Sequence, residues 1–522
     1  MPFAVVALIV TVALARGGYS ASGMLVFELG AFALLLWAVV ETLWGTSSEE
    51  RAYHRAQPRG QRSGVEILPP GQPAASTTRK SREHYVFVSG FPFKRTWLGW
   101  PLAILTAWIA LSLVPISGNW LALLSPEAHA LRMEAAGMTV PPTRLDAAPS
   151  SLAPFLTLRS LWLFCACASL IFVGAHMASR PRRAERLSQL LFLAGVGFGL
   201  YGLGQWLFGL QELLGRDAAA GVHFRASGSF GNRNHYAAFM EMLLLCGLGW
   251  VGMRRAGFHA RTGGSLARRI EAGGGKLFFL GLGVVFTSLG LIFSLSRAGI
   301  TFGLVGCALL MLMRPAPRSA DGDVELSDGL PRRKRSLSGI WAMVLLVVGT
   351  AAWIGLDPVA HRFKVLPNEW DAERDRVQVW SDAIGAVPDF ALTGSGLSTF
   401  RYVFPRYRSF GGSTFYSWAH NDYLQVLIEL GVPGLVLVFW IMAAVWRGSK
   451  RVRVTLREDP ALLHLHTGYV AAAIAVALHS FTDFGLHLMA NAALFSVILG
   501  VMMGLQPSAE TGLQPSTETR AH

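Results

Sequence analysis

The sequence predicts an all-α fold, a polytopic transmembrane helical bundle of about twelve spans, and three observations carry that prediction. Of 522 residues, 52% are hydrophobic and only 15% are charged, with a mean hydropathy of +0.41, which is too apolar for a soluble chain of this size. Apolar runs approaching the ~20 residues needed to cross a bilayer recur along most of the chain. Lys and Arg collect in alternate connections, as they do in loops on the cytoplasmic side of a membrane.

Taken in order, the spans are expected near 2–16, 24–44, 97–116, 158–178, 187–209, 234–252, 276–294, 298–313, 338–356, 421–446, 464–482 and 487–505. Ala13-Leu14-Ala15 resembles a signal-peptidase site, but no basic region precedes the apolar stretch, so the first segment is read as a retained helix. With both termini cytoplasmic, the internal connections become 45–96, 179–186, 254–275, 314–337 and 447–463. Arg180, Arg182, Arg183 and Arg186 fill one of them. Arg332, Arg333, Lys334 and Arg335 mark another, and Arg447, Lys450, Arg451, Arg453 and Arg457 a third. The net charge of +14 is therefore explained by topology, with no nucleic-acid partner. Cys165, Cys167, Cys246 and Cys307 all lie in apolar runs, which speaks against a disulfide or a thiolate metal site.

The same threading puts 117–157, 210–233 and 357–420 on the outer side. The last is a large periplasmic loop before the tenth span. Trp370, Trp380, Tyr402, Tyr407, Tyr416 and Trp418 stand among its charges, a composition that suits either sugar contacts or an interfacial aromatic belt. Within it, Val377, Trp380, Ile384 and Val387 recur at helical spacing, so 371–387 is expected to be an amphipathic helix lying along the membrane surface. The chain then divides into N-terminal helices 1–116 with a Pro-, Gly- and Arg-rich linker at 45–96, a periplasmic segment and connecting spans at 117–189, a membrane domain at 190–505, and a cytoplasmic tail at 506–522.

Three polar clusters interrupt the apolar pattern at the outer ends of spans. Ser294-Leu295-Ser296-Arg297-Ala298-Gly299 places Arg297 between two apolar runs, where it is either a functional cation or a snorkelling side chain that marks a turn. Arg225 to Tyr236 concentrates Arg225, Arg233, Asn232 and Asn234 at a helix N-terminus, which fits an anion site, an ordinary N-cap, or both. Ser417-Trp418-Ala419-His420-Asn421-Asp422-Tyr423 sets His420 beside Asn421 and Asp422, and histidine exchanges protons near neutral pH; a structural, hydrogen-bonded histidine is the alternative. Further on, Gly431-Val432-Pro433-Gly434 should break the tenth span, and His479 to Gly485 forms another polar group at the same depth. No Walker loop is present, and Asp371, Glu373 and Asp375 alternate with arginines, so a site without metal or cofactor is the simpler reading.

Together these motifs resemble the O-antigen ligase and O-antigen polymerase family of bacterial membrane proteins. The likeness rests on Gly228 to Asn234, Ser296 to Gly299, Gly394 to Phe400, Ala419 to Gln425 and Glu429 to Gly434, and covers roughly 190–505. It implies a metal-independent glycosyltransferase of the inner membrane with its active site facing the periplasm. The implied donor is a glycan on undecaprenyl diphosphate, and the implied acceptor is a hydroxyl of another glycan or of lipid A core. By the same resemblance His420 is the general base, Arg297 and either Arg225 or Arg233 hold the diphosphate, and Asn234, Asn421 and Asp422 support them. The alternative class is a transporter (flippase) of lipid-linked oligosaccharides, for which inverted repeats and polar groups near the bilayer midplane are expected.

Overall fold

The computed structural model describes residues 1–18, 20–56, 98–137, 146–210, 225–262, 266–313, 315, 347, 349, 370–411 and 415–507. Linker 45–96 beyond 56, the expected span 338–356 apart from 347 and 349, and 357–369 lie outside the described residues.

The described elements are α1 (Pro2–Leu14), α2 (Ala21–Ala56), α3 (Gly99–Leu111), α4 (Gly118–Leu124), α5 (Pro126–Gly137), α6 (Pro154–Ala178), α7 (Pro181–Phe208), α8 (Arg233–Thr262), α9 (Leu266–Ile292) and α10 (Arg297–Met313). They continue with α11 (Trp370–Ile384), α12 (Val387–Phe390), α13 (Phe400–Tyr407), α14 (Asp422–Thr455), α15 (Pro460–His479) and α16 (Met489–Gly504). Two short antiparallel strands, β1 (Ile116–Ser117) and β2 (Ala147–Ala148), pair Ile116 with Ala148. Among the described residues, six helices are long and apolar enough to cross a membrane: Ala21–Thr42, Pro154–Ala178, Pro181–Phe208, Arg233–Gly257, Asp422–Glu458 and Pro460–His479. Five shorter apolar helices, α1, α3, Phe278–Ile292, α10 and α16, accompany them. Leu25, Leu29, Leu36 and Trp37 on α2, and Val436, Phe439 and Trp440 on α14, are exposed, an arrangement that belongs in lipid.

Between helices in lipid, close packing takes the place of the hydrophobic effect, so small residues mark the tightest crossings. A Cβ added at Gly468 of α15 would lie 2.6 Å from the Cα of Gly249 on α8, and one added at Gly500 of α16 would lie 2.2 Å from the carbonyl oxygen of Ile171 on α6. The main core thus joins α1, α6 to α8, α15 and α16 around Tyr236, Tyr469, Phe230 and Phe239. A second, smaller core of Leu121, Ala128, Val379, Ala383, Phe390, Phe400, Phe404 and Ala419 ties α4, α5 and α11 to α13 into a cap over one end of the bundle.

The break in α14 explains how that cap is fastened. Gly431 has φ 69° and ψ −175°, and Pro433 has no N–H to give to the Glu429 carbonyl, so the carbonyls of residues 428 to 430 need other donors. They find them in Ser395 N (3.0 Å from Ile428 O), Gly396 N (2.9 Å from Glu429 O) and Trp108 Nε1 (2.9 Å from Leu430 O), while Val432 N donates to Ala391 O at 2.8 Å. Neighbouring segments satisfy the broken helix, as its sequence required. The Glu429 carboxylate completes the joint by accepting from Ser398 N (2.7 Å), Phe400 N (3.0 Å) and Gln425 Nε2 (3.1 Å).

Helix α11 covers Trp370–Ile384 against the expected 371–387, with Val387 opening the separate α12, and its buried face is a different one. Val379 and Ala383 enter the core of the cap, whereas Val377 and Ile384 are 60% and 58% exposed. An apolar stripe in sequence does not distinguish a face that packs on protein from one open to lipid or water, and here the smaller residues lie inside.

Candidate functional site

His420 closes the connection into α14 with φ 53°, a left-handed conformation that costs a non-glycine residue roughly 1–2 kcal/mol. Its neighbours hold it there. Trp380 Nε1 donates to the Ala419 carbonyl (2.8 Å), Ala419 N donates to Gln425 Oε1 (3.1 Å), and Asp422 N donates to the Ser480 carbonyl (2.9 Å). Asn421 is the N-cap of α14, its Oδ1 accepting from Tyr423 N and Leu424 N at 3.1 Å each.

The imidazole of His420 reaches Asp483, with Nδ1 3.5 Å from Oδ1, and keeps 24% of its side-chain surface exposed against 2% for the carboxylate. Asp483 sits in the turn after α15, where its Oδ1 also accepts from Phe484 N at 2.9 Å. Burial alone would raise the Asp483 carboxyl. The His420 contact and the fields of His235, Arg376 and His479 overcome it and hold the group well below the usual carboxylate range. Asp483 thus sets a buried negative charge 3.5 Å from one ring nitrogen of His420 and leaves Nε2 clear of that contact.

Aromatic rings fix the turn laterally. Phe484 meets the imidazoles of His420 and His235 edge to face, at 4.7 and 4.6 Å, and stacks on Trp418 at 5.7 Å. The Arg401 guanidinium lies 5.6 Å from the Trp418 ring, and Arg376 donates to the Thr482 carbonyl at 3.3 Å. Trp380, Trp418, Tyr407 and Tyr416 therefore have protein partners, Tyr407 through Asp389 and Tyr416 through Phe404 and Phe410. Tyr402 is 56% exposed.

The other expected residues gather at the same end of the bundle. Arg297 opens α10 directly after a reversal at Leu295 (φ 56°), where Ser294 Oγ accepts from Ser296 N (3.1 Å). Farther along α10, Phe302 lies 5.4 Å from the ring of His479 at the end of α15. Arg225 precedes Ala226, whose N–H donates to the Phe293 carbonyl (2.9 Å), so the loop carrying Arg225 runs beside the approach to Arg297. That loop is clamped by Gln205, which donates to the Gly228 carbonyl (2.8 Å) and accepts from Ser227 N (2.9 Å). Arg233 is the first residue of α8, and Asn232 Oδ1 caps it through Asn234 N at 2.9 Å. The ordinary N-cap reading therefore holds for Asn232, and Asn234 is engaged there through its backbone.

Asp422 does not face His420. Its Oδ1 lies 3.0 Å from Nδ1 of His487, a histidine that the sequence reading passed over. His235, 7% exposed in the first turn of α8, was also missed, although it stands within a quoted motif. The available signal was position: both histidines interrupt or border apolar runs at the depth of His420. Among the described residues, no group of three or more His, Cys, Asp and Glu is arranged to hold a metal ion.

At the opposite end, Arg180 pairs with Glu41 at 2.7 Å, Arg183 pairs with the same carboxylate, and Arg453 donates to Thr467 Oγ1 at 3.0 Å. The basic connections 179–186 and 447–463 are thus as far from His420 as the helices allow. A multi-pass membrane protein with a polar site built at one bundle end is the class these features define. Residues 282–439 match the family model described as O-antigen ligase, which supports the resemblance carried by the motifs. The matched stretch runs from α9 to the middle of α14 and includes Arg297, His420, Asn421 and Asp422. The match supports a place in glycan transfer during surface-polysaccharide assembly. No curated protein matches the chain.

Proposed function

We propose that the protein transfers a glycan from undecaprenyl diphosphate to an acceptor hydroxyl at the periplasmic face of the bacterial inner membrane, as a polymerase or ligase of surface polysaccharide. The observation that carries this reading is His420, held in a left-handed turn with Nδ1 toward a buried carboxylate and the rest of its ring partly open. In the reaction His420 Nε2 accepts the proton of the acceptor hydroxyl as its oxygen bonds to the anomeric carbon. The bond between that carbon and the lipid diphosphate breaks, and the diphosphate leaves with the electron pair.

Arg297, with Arg225 or Arg233 from the neighbouring loop and helix start, meets the charge that develops on the leaving group; removing one such contact typically costs ~2.7–4 kcal/mol of transition-state stabilisation. Guanidinium groups supply that stabilisation without a metal ion. General-base help from His420 contributes ~10²- to 10⁴-fold. The periplasmic assignment and a count of about twelve spans are supported by the basic connections lying opposite the site.

The test is the surface-glycan profile of a deletion strain complemented with wild type, His420→Ala or Arg297→Ala, with lipid-linked intermediates extracted in parallel. Both variants are expected to insert normally and to lose transfer. Normal glycan from either refutes the assigned roles. Accumulated single repeat units on the lipid carrier identify a polymerase, and accumulated full-length lipid-linked polymer identifies a ligase.

A further inference from the structure

We infer that His487 is a positioning residue for His420, acting as a neutral imidazole through Gln425. The inference rests on the transfer reaction proposed above and begins with the orientation of the Gln425 amide. Its Oε1 accepts from Ala419 N (3.1 Å), so the two donors lie on Nε2. One donor goes to Glu429 Oε1 at 3.1 Å, and the other faces Nε2 of His487 at 3.2 Å. An N–H in that place requires a lone pair on the ring nitrogen. The ring proton is therefore assigned to Nδ1, which faces Asp422 Oδ1 at 3.0 Å.

His487 thereby grips the His420 turn on both sides. Asp422 lies two residues after His420, and Ala419, fully buried, lies just before it and is held through Gln425. Trp418, one residue further back, packs its ring 4.4 Å from the His487 imidazole. A left-handed residue persists only where its surroundings over-determine it, and His487 is the side chain that joins the restraints before and after it.

The arrangement depends on the protonation of His487. A second proton would set an N–H of the ring against an N–H of Gln425 at 3.2 Å, and turning the amide away would strip the buried Ala419 N–H of its acceptor. The charged groups facing the ring are Asp422 and Glu429. Burial lowers the imidazole, but these carboxylates and the Phe484 carbonyl outweigh it and raise the group above the ordinary histidine value. A general base must itself be neutral to accept a proton, so loss of the neutral form of His487 adds a second proton to the acid limb of the pH–rate profile.

The experiment uses membrane vesicles of the deletion strain carrying the full-length protein, with the strain's own accumulated lipid-linked glycan as donor. For wild type, log rate against pH is expected to approach a slope of two on the acid side. His487→Gln offers Gln425 a carbonyl acceptor and cannot titrate, so it should keep most of the neutral-pH rate and show a slope of one. His487→Leu offers no acceptor and should lose ~10²-fold in kcat with donor KM little changed, the scale of a misplaced catalytic group. A slope of two in His487→Gln, or an equal, pH-independent loss in both variants, overturns the inference; if His487→Leu does not accumulate, His487→Gln decides alone. His420→Ala, measured alongside, separates the two readings, because transfer by that variant would refute the role of His420 whatever His487 does.

Discussion

Replacing Glu429 should unfasten the cap from the bundle. The carboxylate is 1% exposed and accepts from Ser398 N at 2.7 Å, Phe400 N at 3.0 Å and Gln425 Nε2 at 3.1 Å. Hydrogen bonds to a charged acceptor contribute about 1.5–3 kcal/mol each. In Glu429→Gln the best amide orientation keeps its oxygen toward Phe400 and Gln425 and turns its NH2 against the Ser398 N–H, so the loss is about 1.5–3 kcal/mol plus a donor–donor contact. Glu429→Ala removes all three bonds, an upper bound of about 4.5–9 kcal/mol that entering water would reduce. Thermal unfolding of the detergent-solubilised protein, followed by tryptophan fluorescence, reads the difference at roughly 1 °C per kcal/mol for a chain of 522 residues. Gln should therefore lower Tm by about 1.5–3 °C and Ala by clearly more. Wild-type Tm in Glu429→Gln, or equal shifts in the two variants, would show that these bonds do not hold α13 to α14.

Two further outcomes follow from the geometry. Asp483→Asn should reduce glycan transfer by ~10²- to 10⁴-fold, because a neutral amide no longer fixes the His420 tautomer. Asp483 itself should not shape the pH–rate profile above pH ~5: its folded pKa is depressed, so the stability it contributes is present above the unfolded value of ~3.9 and is lost only as pH falls through the folded one. Unchanged transfer in Asp483→Asn counts against the anchoring role. Gly468→Val places a branched side chain where even a Cβ lies 2.6 Å from Gly249, so α8 and α15 must separate, at a cost of ~1–3 kcal/mol or more, visible as lower Tm and lower yield of folded protein. A variant as stable as wild type would mean that the crossing is looser than the glycine pair indicates.

The helices were readable because an apolar run of spanning length has few other uses, and the break in α14 because Gly431 and Pro433 each disable the helix in a known way. What receives the freed carbonyls was not readable. Ser395 and Gly396 lie more than thirty residues before them, and no local pattern in 391–396 announces the pairing. The same distance hid His487, whose partner Gln425 is 62 residues away.

Backbone strain supplies what the motifs alone do not. Among the described residues, four non-glycine positions have positive φ: Arg16, Leu295, Ser398 and His420. Local sequence argues against that conformation at each, since L-residues avoid it. Yet Leu295 stands two residues before Arg297, Ser398 lies in the segment that binds Glu429, and His420 is the proposed base. Two of the four, Ser398 and His420, thus fall in segments that carry the family resemblance and Leu295 directly precedes another, which is where local preference is expected to yield to the demands of a site. If strain at these positions serves to aim Arg297 and His420, glycine at 295 should leave α10 and its Arg297 in place while lowering transfer only slightly. Glycine at 420 should relieve the turn and abolish the reaction, so that stability and transfer separate at His420 and at no other member of the set.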